Sequence, residues 1–132
     1  TWMKIYTDGA YKPTTDQGGW AFVTDDGFTD WNGVKNTTNN RMEIQGVLEA
    51  MKYIIKNNIK DAEIYSDSQY VICTITKGWK KKMNTDLWEE FEKLISQIDS
   101  ISFMWVKGHS VDKLNNKADE LAVKGSELYL VD

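Results

Sequence analysis

The chain opens with three consecutive strand-like segments and then alternates helix-like with strand-like ones, and that order leaves few ways to fold. "MKIYTD" sets Met3, Ile5 and Thr7 against Lys4, Tyr6 and Asp8, so a first strand ends at Asp8, before Gly9. "GWAFVT" reads as a second strand, Asp26-Gly27 as a tight hairpin and "FTDWNGV" as a third, giving an antiparallel meander. After the polar "KNTTNN", Ile44, Val47, Leu48, Met51, Ile54 and Ile55 recur at helical spacing from about Met42 onward, with Glu43 in the first turn of that helix.

"AEIYSD" is a fourth strand, followed by the short helical stretch "SQYVICTIT". Leu87, Trp88, Phe91, Leu94, Ile95 and Ile98 make a second amphipathic helix behind a cap at Thr85. "ISFMWVK" is a fifth strand, and "NNKADELAVKG" a last helix that Gly125 should stop. The order is βββαβααβα, an α/β fold with a five-stranded mixed sheet flanked by helices. Strands joined through helices run parallel, which makes strands one, four and five the parallel set. Ligands of such sheets collect beyond the carboxyl ends of the parallel strands. Asp8 and Asp67 both stand there.

Bulk properties narrow the chemistry. The 132 residues, 41% hydrophobic and 27% charged, suit one domain spanning residues 1–132. No apolar run approaches the roughly 20 residues of a membrane span, and "TWMKIYTDG" lacks a signal-like apolar core, so the expectation is a soluble cytoplasmic protein without a membrane partner. One cysteine, Cys73, and one histidine, His109, exclude an internal disulfide and a structural zinc site. "NTT" at Asn36 matches a glycosylation acceptor only formally. A net charge of −4 argues against general nucleic-acid binding. Lysines nevertheless gather in two places: Lys77, Lys80, Lys81 and Lys82 around Trp79, and Lys107, Lys113 and Lys117 further on. Either cluster alone reads as solvated surface.

Asp8, Glu43, Asp67 and Asp119 could converge on one end of the sheet. Crowded carboxylates repel one another and are driven toward protonation unless a cation neutralises them. Four acids without zinc-type ligands point to Mg²⁺, which favours oxygen ligands and retains waters. Two such ions could activate a water and steady the leaving oxygen in phosphodiester cleavage. Each acid also has an ordinary role available: Asp8 in a turn, Glu43 in a capping arrangement with Asn40, Asp67 as a cap and Asp119 on a helix surface.

"YTDGA", "NNRMEIQGVLEA", "YSDSQYV" and "WVKGHSVDKLNNKADELA" resemble, in order and separation, the motifs of the type 1 ribonuclease H family. The resemblance covers nearly the whole chain. It implies the ribonuclease H-like fold and endonucleolytic hydrolysis of the RNA strand of an RNA/DNA hybrid, leaving 3′-hydroxyl and 5′-phosphate ends. It matches Asp8, Glu43, Asp67 and Asp119 to the family's metal-binding acids, holding two Mg²⁺ with Mn²⁺ able to substitute, and His109 to its catalytic loop histidine. Asn39 and Asn40, joined by Gln69, match residues that read the minor groove, where the 2′-hydroxyl marks RNA. Thr38 and Asn84 correspond to a pocket for a phosphate of the DNA strand.

Two departures stand out. Longer members carry a basic, tryptophan-bearing protrusion, of which only "TKGWKKKMN" remains here, leaving Trp79, Lys80, Lys81 and Lys82 to touch the DNA backbone. The loop "AYKPTTDQGGW" replaces a more glycine-rich segment. A monomer, or a domain of a larger replication or reverse-transcription protein, fits the sequence equally. Trp20, Trp31, Trp88 and Trp105 read as core or sheet-face aromatics and Cys73 as a small buried residue. The rival functions are a catalytically dead hybrid-binding module, which retention of all four acids disfavours, and a resolvase or transposase core, which would share scattered acids but not "SDSQYV" or "VKGHS".

Overall fold

A computed structural model describes residues 2–108 and 112–129. Its elements are β1 (Met3–Lys12), β2 (Gln17–Thr24), β3 (Thr29–Lys35), α1 (Asn39–Lys56), β4 (Asp61–Ser66), α2 (Gln69–Lys77), α3 (Thr85–Ile95), β5 (Ser100–Trp105) and α4 (Lys113–Ser126). The element order is the expected one. The five strands lie in the order β3-β2-β1-β4-β5, antiparallel across β3, β2 and β1 and parallel across β1, β4 and β5.

The period-two alternation of the strands sorts their side chains into two cores. Ile5, Trp20, Phe22 and Ile64 pack with Val47, Leu48 and Met51 of α1, Val71 of α2, and Trp88 and Phe91 of α3. Tyr6, Ala21 and Val23 face the other way, onto Ala118, Leu121 and Ala122 of α4. The sheet is thus the middle of three layers. Asp26-Gly27 does form the hairpin: Gly27 takes a φ of 96°, and Thr24 and Phe28 close the turn through a 2.8 Å backbone bond.

Several local expectations change. The first strand does not stop at Asp8, because antiparallel pairing with β2 carries it to Lys12. Its parallel pairing with β4 does stop, at Tyr6 opposite Tyr65, so Asp8 lies just past the end of that ladder. Helix α1 begins earlier than its apolar spacing suggested: Thr38 is its N-cap, accepting from the Arg41 amide, which puts Glu43 in the second turn. Thr85 is the first residue of α3 and not its cap; that place belongs to Asn84, in the left-handed region at φ 58°.

Gly125 does not end the last helix, which runs to Ser126. Its need is closeness, since a Cβ there would stand 2.3 Å from the Asn32 carbonyl oxygen as α4 lies down on β3. Of the tryptophans expected as core or sheet-face residues, Trp20 and Trp88 are buried. Trp105, the last residue of the edge strand β5, is instead 46% exposed, its strand having a neighbour on one side only. Cys73 is half-buried. Among the described residues, no helix is long and apolar enough to cross a membrane.

Candidate active site

The site forms where the β1–β4 ladder ends. Asp8 follows the last paired residues on β1, Asp67 follows the last residue of β4, and α1 crosses above β1 carrying Glu43. That crossing is unusually close. A Cβ on Gly9 would stand 2.4 Å from the Glu43 nitrogen, and one on Gly46 would stand 3.0 Å from the Asp8 carbonyl oxygen. Only glycine lets the two backbones touch.

As a result, one carboxylate oxygen from each of Asp8, Glu43 and Asp67 lies within 4.8 Å of the others. Asp8 and Glu43 are buried, and Asp67 is half-buried. The Gly9 amide donates to Asp8 Oδ1 at 2.9 Å. Glu43 Oε1 is buried without a hydrogen-bond partner. Asp119, on α4, adds to the upward push on the Asp8 carboxyl. It stands outside the tight trio, half-exposed on the other side of the sheet end.

The electrostatics follow from this crowding. Burial, then the charges of Glu43 and Asp67, push the Asp8 carboxyl far above the ordinary carboxylate range, against the pull of the Gly9 amide. Burial, then the charge of Asp67, also raises Glu43. A divalent cation would reverse both effects and give the orphaned Glu43 oxygen a partner. An all-oxygen, acidic donor set of this kind fits Mg²⁺ or Mn²⁺.

At the start of α1, about one turn before Glu43, opens a cleft of about 660 Å³. It brings together Thr38, Asn39, Asn40, Lys80, Lys82 and Asn84, six of the residues expected to hold substrate. The rest fall elsewhere. Gln69 is exposed at the start of α2, and Trp79 is 48% exposed on the link between α2 and α3. Lys81 turns away to pair with Glu92 at 3.4 Å and to lie over the Trp88 ring. His109 lies outside the described residues.

Tyr70 and Arg41 are among the residues that the sequence did not announce. Tyr70 lines the cleft, and its hydroxyl accepts from Asn84 Nδ2 at 3.2 Å and from Trp88 Nε1 at 3.1 Å. Arg41 clamps Asp86 through two bonds of 3.0 and 2.8 Å and donates to Asn84 Oδ1 at 3.4 Å. The Arg41 clamp holds the exposed Asp86 carboxyl down at about 2. Both ends of the Asn84 amide are therefore fixed, which holds the left-handed Asn84 at the cleft wall. Arg41 stood in plain view within "NNRMEI", but its partners lie more than 40 residues away and nothing local announces them.

The family model described as RNase H matches residues 1–127. The chain belongs to the RNase H family. The ribonuclease H of Hahella chejuensis is 41% identical over an alignment covering 93% of this chain and 92% of that protein. The ribonuclease H of Polynucleobacter asymbioticus is likewise 41% identical, over 96% of this chain and 90% of that protein. Among solved structures, the N-terminal RNase H domain of Rv2228c from Mycobacterium tuberculosis superposes with a TM-score of 0.83, covering 95% of this chain and 93% of that one. At 23% identity that likeness concerns the fold, and it is the ribonuclease H-like one. As an RNase H family enzyme, the chain brings the acidic cluster to the open end of its sheet and keeps the link between α2 and α3 to residues 78–84.

Proposed function

We propose that residues 1–132 act as one soluble intracellular catalytic domain, an endonuclease that hydrolyses the RNA strand of RNA/DNA hybrids. Asp8, Glu43, Asp67 and Asp119 are its metal ligands, for two Mg²⁺ ions that Mn²⁺ can replace. The observation that carries this reading is the trio of carboxylates within 4.8 Å, one of whose buried oxygens has no partner. Such a group is costly to the apo protein and rewarding only with a cation in place.

Bound Mg²⁺ supplies Lewis acidity and a more acidic water. The chain's residues arrange the rest. Gly9 orients Asp8 through its amide. The first turn of α1 offers Asn39 and Asn40 to the minor groove, and with Gln69 they read the 2′-hydroxyls of the cleaved strand. Thr38, Asn84, Lys80 and Lys82 hold a phosphate of the DNA strand in the cleft. The water oxygen gives up a proton as it bonds to phosphorus, the bond from phosphorus to the 3′ oxygen breaks, and that oxygen takes up a proton with help from His109. The products are a 3′-hydroxyl and a 5′-phosphate.

The test is cleavage of end-labelled RNA/DNA hybrid, single-stranded RNA, duplex RNA and duplex DNA, each with Mg²⁺ and with chelator. Only the hybrid should be cut, and only with metal. Duplex RNA cut as fast as hybrid would sink the two-strand discrimination.

A further inference from the structure

Trp105 occupies a position its residue type does not suit by burial alone. It is 46% exposed at the tip of the edge strand β5, yet its indole Nε1 donates to the main-chain carbonyl of Asp67 at 3.0 Å. The reason lies in how the β4–β5 ladder ends. Ser66 pairs with Trp105, and the Val106 amide donates to the Ser66 carbonyl at 2.9 Å. Beyond that bond the chain turns from β4 into α2, whose cap is Ser68, and the strand pairing is over. The indole reaches the next carbonyl along. Two more contacts bear on the same junction: the Ser68 amide donates to Ser66 Oγ at 3.1 Å, and a Cβ on Gly108 would stand 2.9 Å from Asp67 Oδ2.

From this geometry we infer that Trp105 is a positioning residue, whose indole N–H fixes the Asp67 peptide and thereby aims its carboxylate at the metals. The inference rests on the metal-site reading above. Asp67 sits at a strand-to-helix junction past the ladder, where its peptide plane is held on one side by the Ser68 amide on Ser66 Oγ and on the other by the Trp105 indole on the Asp67 carbonyl. Rotation there swings the carboxylate, the most solvent-facing of the clustered three. Groups that orient a ligand from behind commonly govern metal affinity by about 10- to 100-fold. The ring of Trp105 is not the active part; the N–H is.

Trp105→Phe keeps a large aromatic of good strand propensity and removes only the donor. Calorimetric titration of Mg²⁺ into substrate-free protein should show its dissociation constant raised about tenfold or more. Turnover should fall at fixed subsaturating Mg²⁺ and recover at high Mg²⁺, while KM for the hybrid stays that of the parent. Unchanged Mg²⁺ affinity overturns the inference, and so does a raised KM with unchanged Mg²⁺ affinity, which would make Trp105 a nucleic-acid contact. A parent that binds no Mg²⁺ in this titration would overturn the metal reading itself, which separates the two failures. A measurement on the parent needs no variant: the Trp105 indole proton should exchange with solvent more slowly than that of the similarly exposed Trp79, and equal rates would refute the bond.

Discussion

Gly9 meets the backbone of Glu43 so closely that a single added carbon would stand 2.4 Å from the Glu43 nitrogen and 2.5 Å from the Met42 carbonyl carbon. Backbone cannot yield as a flexible side chain can. Gly9→Ala must therefore lift α1 from β1 and part Glu43 from Asp8. The expected cost is about 1–3 kcal/mol of stability with a loss of turnover per folded molecule. Gly27→Ala is the control: it strains a φ of 96° but meets nothing within 4 Å. Denaturant melts and assays on both should show stability lost in each and activity lost only in the first.

The acidic cluster sets a pH dependence whose sign is fixed. Asp8 and Glu43 are both raised in the folded state, by burial first and by their acidic neighbours next. Folded protein therefore holds protons that unfolded chains release near pH 4. Without metal, stability is fully present below that value and is lost as pH rises toward the folded values. Melting temperature in chelator should fall between about pH 5 and 8. Asp8→Asn should melt higher than the parent at the alkaline end, show a flatter profile and cut no hybrid. A parent profile that rises with pH would refute the crowding on which the metal site rests.

The lysines of the link are predicted to act unequally. Lys80 and Lys82 line the cleft, whereas Lys81 is engaged with Glu92 and Trp88. A lysine that neutralises one phosphate adds about one to the salt slope of binding. Lys80→Ala and Lys82→Ala should each lower the slope by that amount in fluorescence-anisotropy titrations with hybrid, and Lys81→Ala by much less. Equal slopes for all three would mean that the link does not keep this arrangement on substrate.

Tyr70→Phe removes the acceptor for two N–H groups at once, including that of the buried Trp88. Leaving a buried donor unsatisfied costs about 1–3 kcal/mol. Loosening Asn84 should also raise KM for the hybrid with little change in kcat, because Asn84 faces the cleft and not the acids. A fall in kcat at constant KM would contradict that division.

The fold is legible in the sequence wherever a period of two or of 3.6 persists over several residues, as in Val47, Leu48 and Met51 or in Ala62, Ile64 and Ser66. Boundaries are less so. The end of β1 depends on pairing with β2, and the start of α1 on the Thr38 cap, neither of which apolar spacing records. The convergence of Asp8, Glu43 and Asp67 could be expected because strand ends and a helix turn are local features. The roles of Arg41, Tyr70 and Trp105 could not, since each is defined by a partner 14 to 45 residues away. Lys81 shows the reverse error: sequence adjacency to Lys80 and Lys82 says nothing about which way a side chain turns on an irregular link.

That link joins two helix ends, with Gly78 closing α2 in the left-handed region and Asn84 opening α3, tied down by Arg41 and Tyr70. A graft between Gly78 and Lys82 would leave both anchors intact. Doubling the length of such a loop costs only about 0.6 kcal/mol of closure entropy. Grip on the substrate can thus be lengthened or trimmed by insertion and deletion there, while the acidic cluster, built on β1, α1 and the end of β4, stays as it is. Evolution and protein engineering alike have, in residues 78–82, a place to tune affinity without renegotiating catalysis.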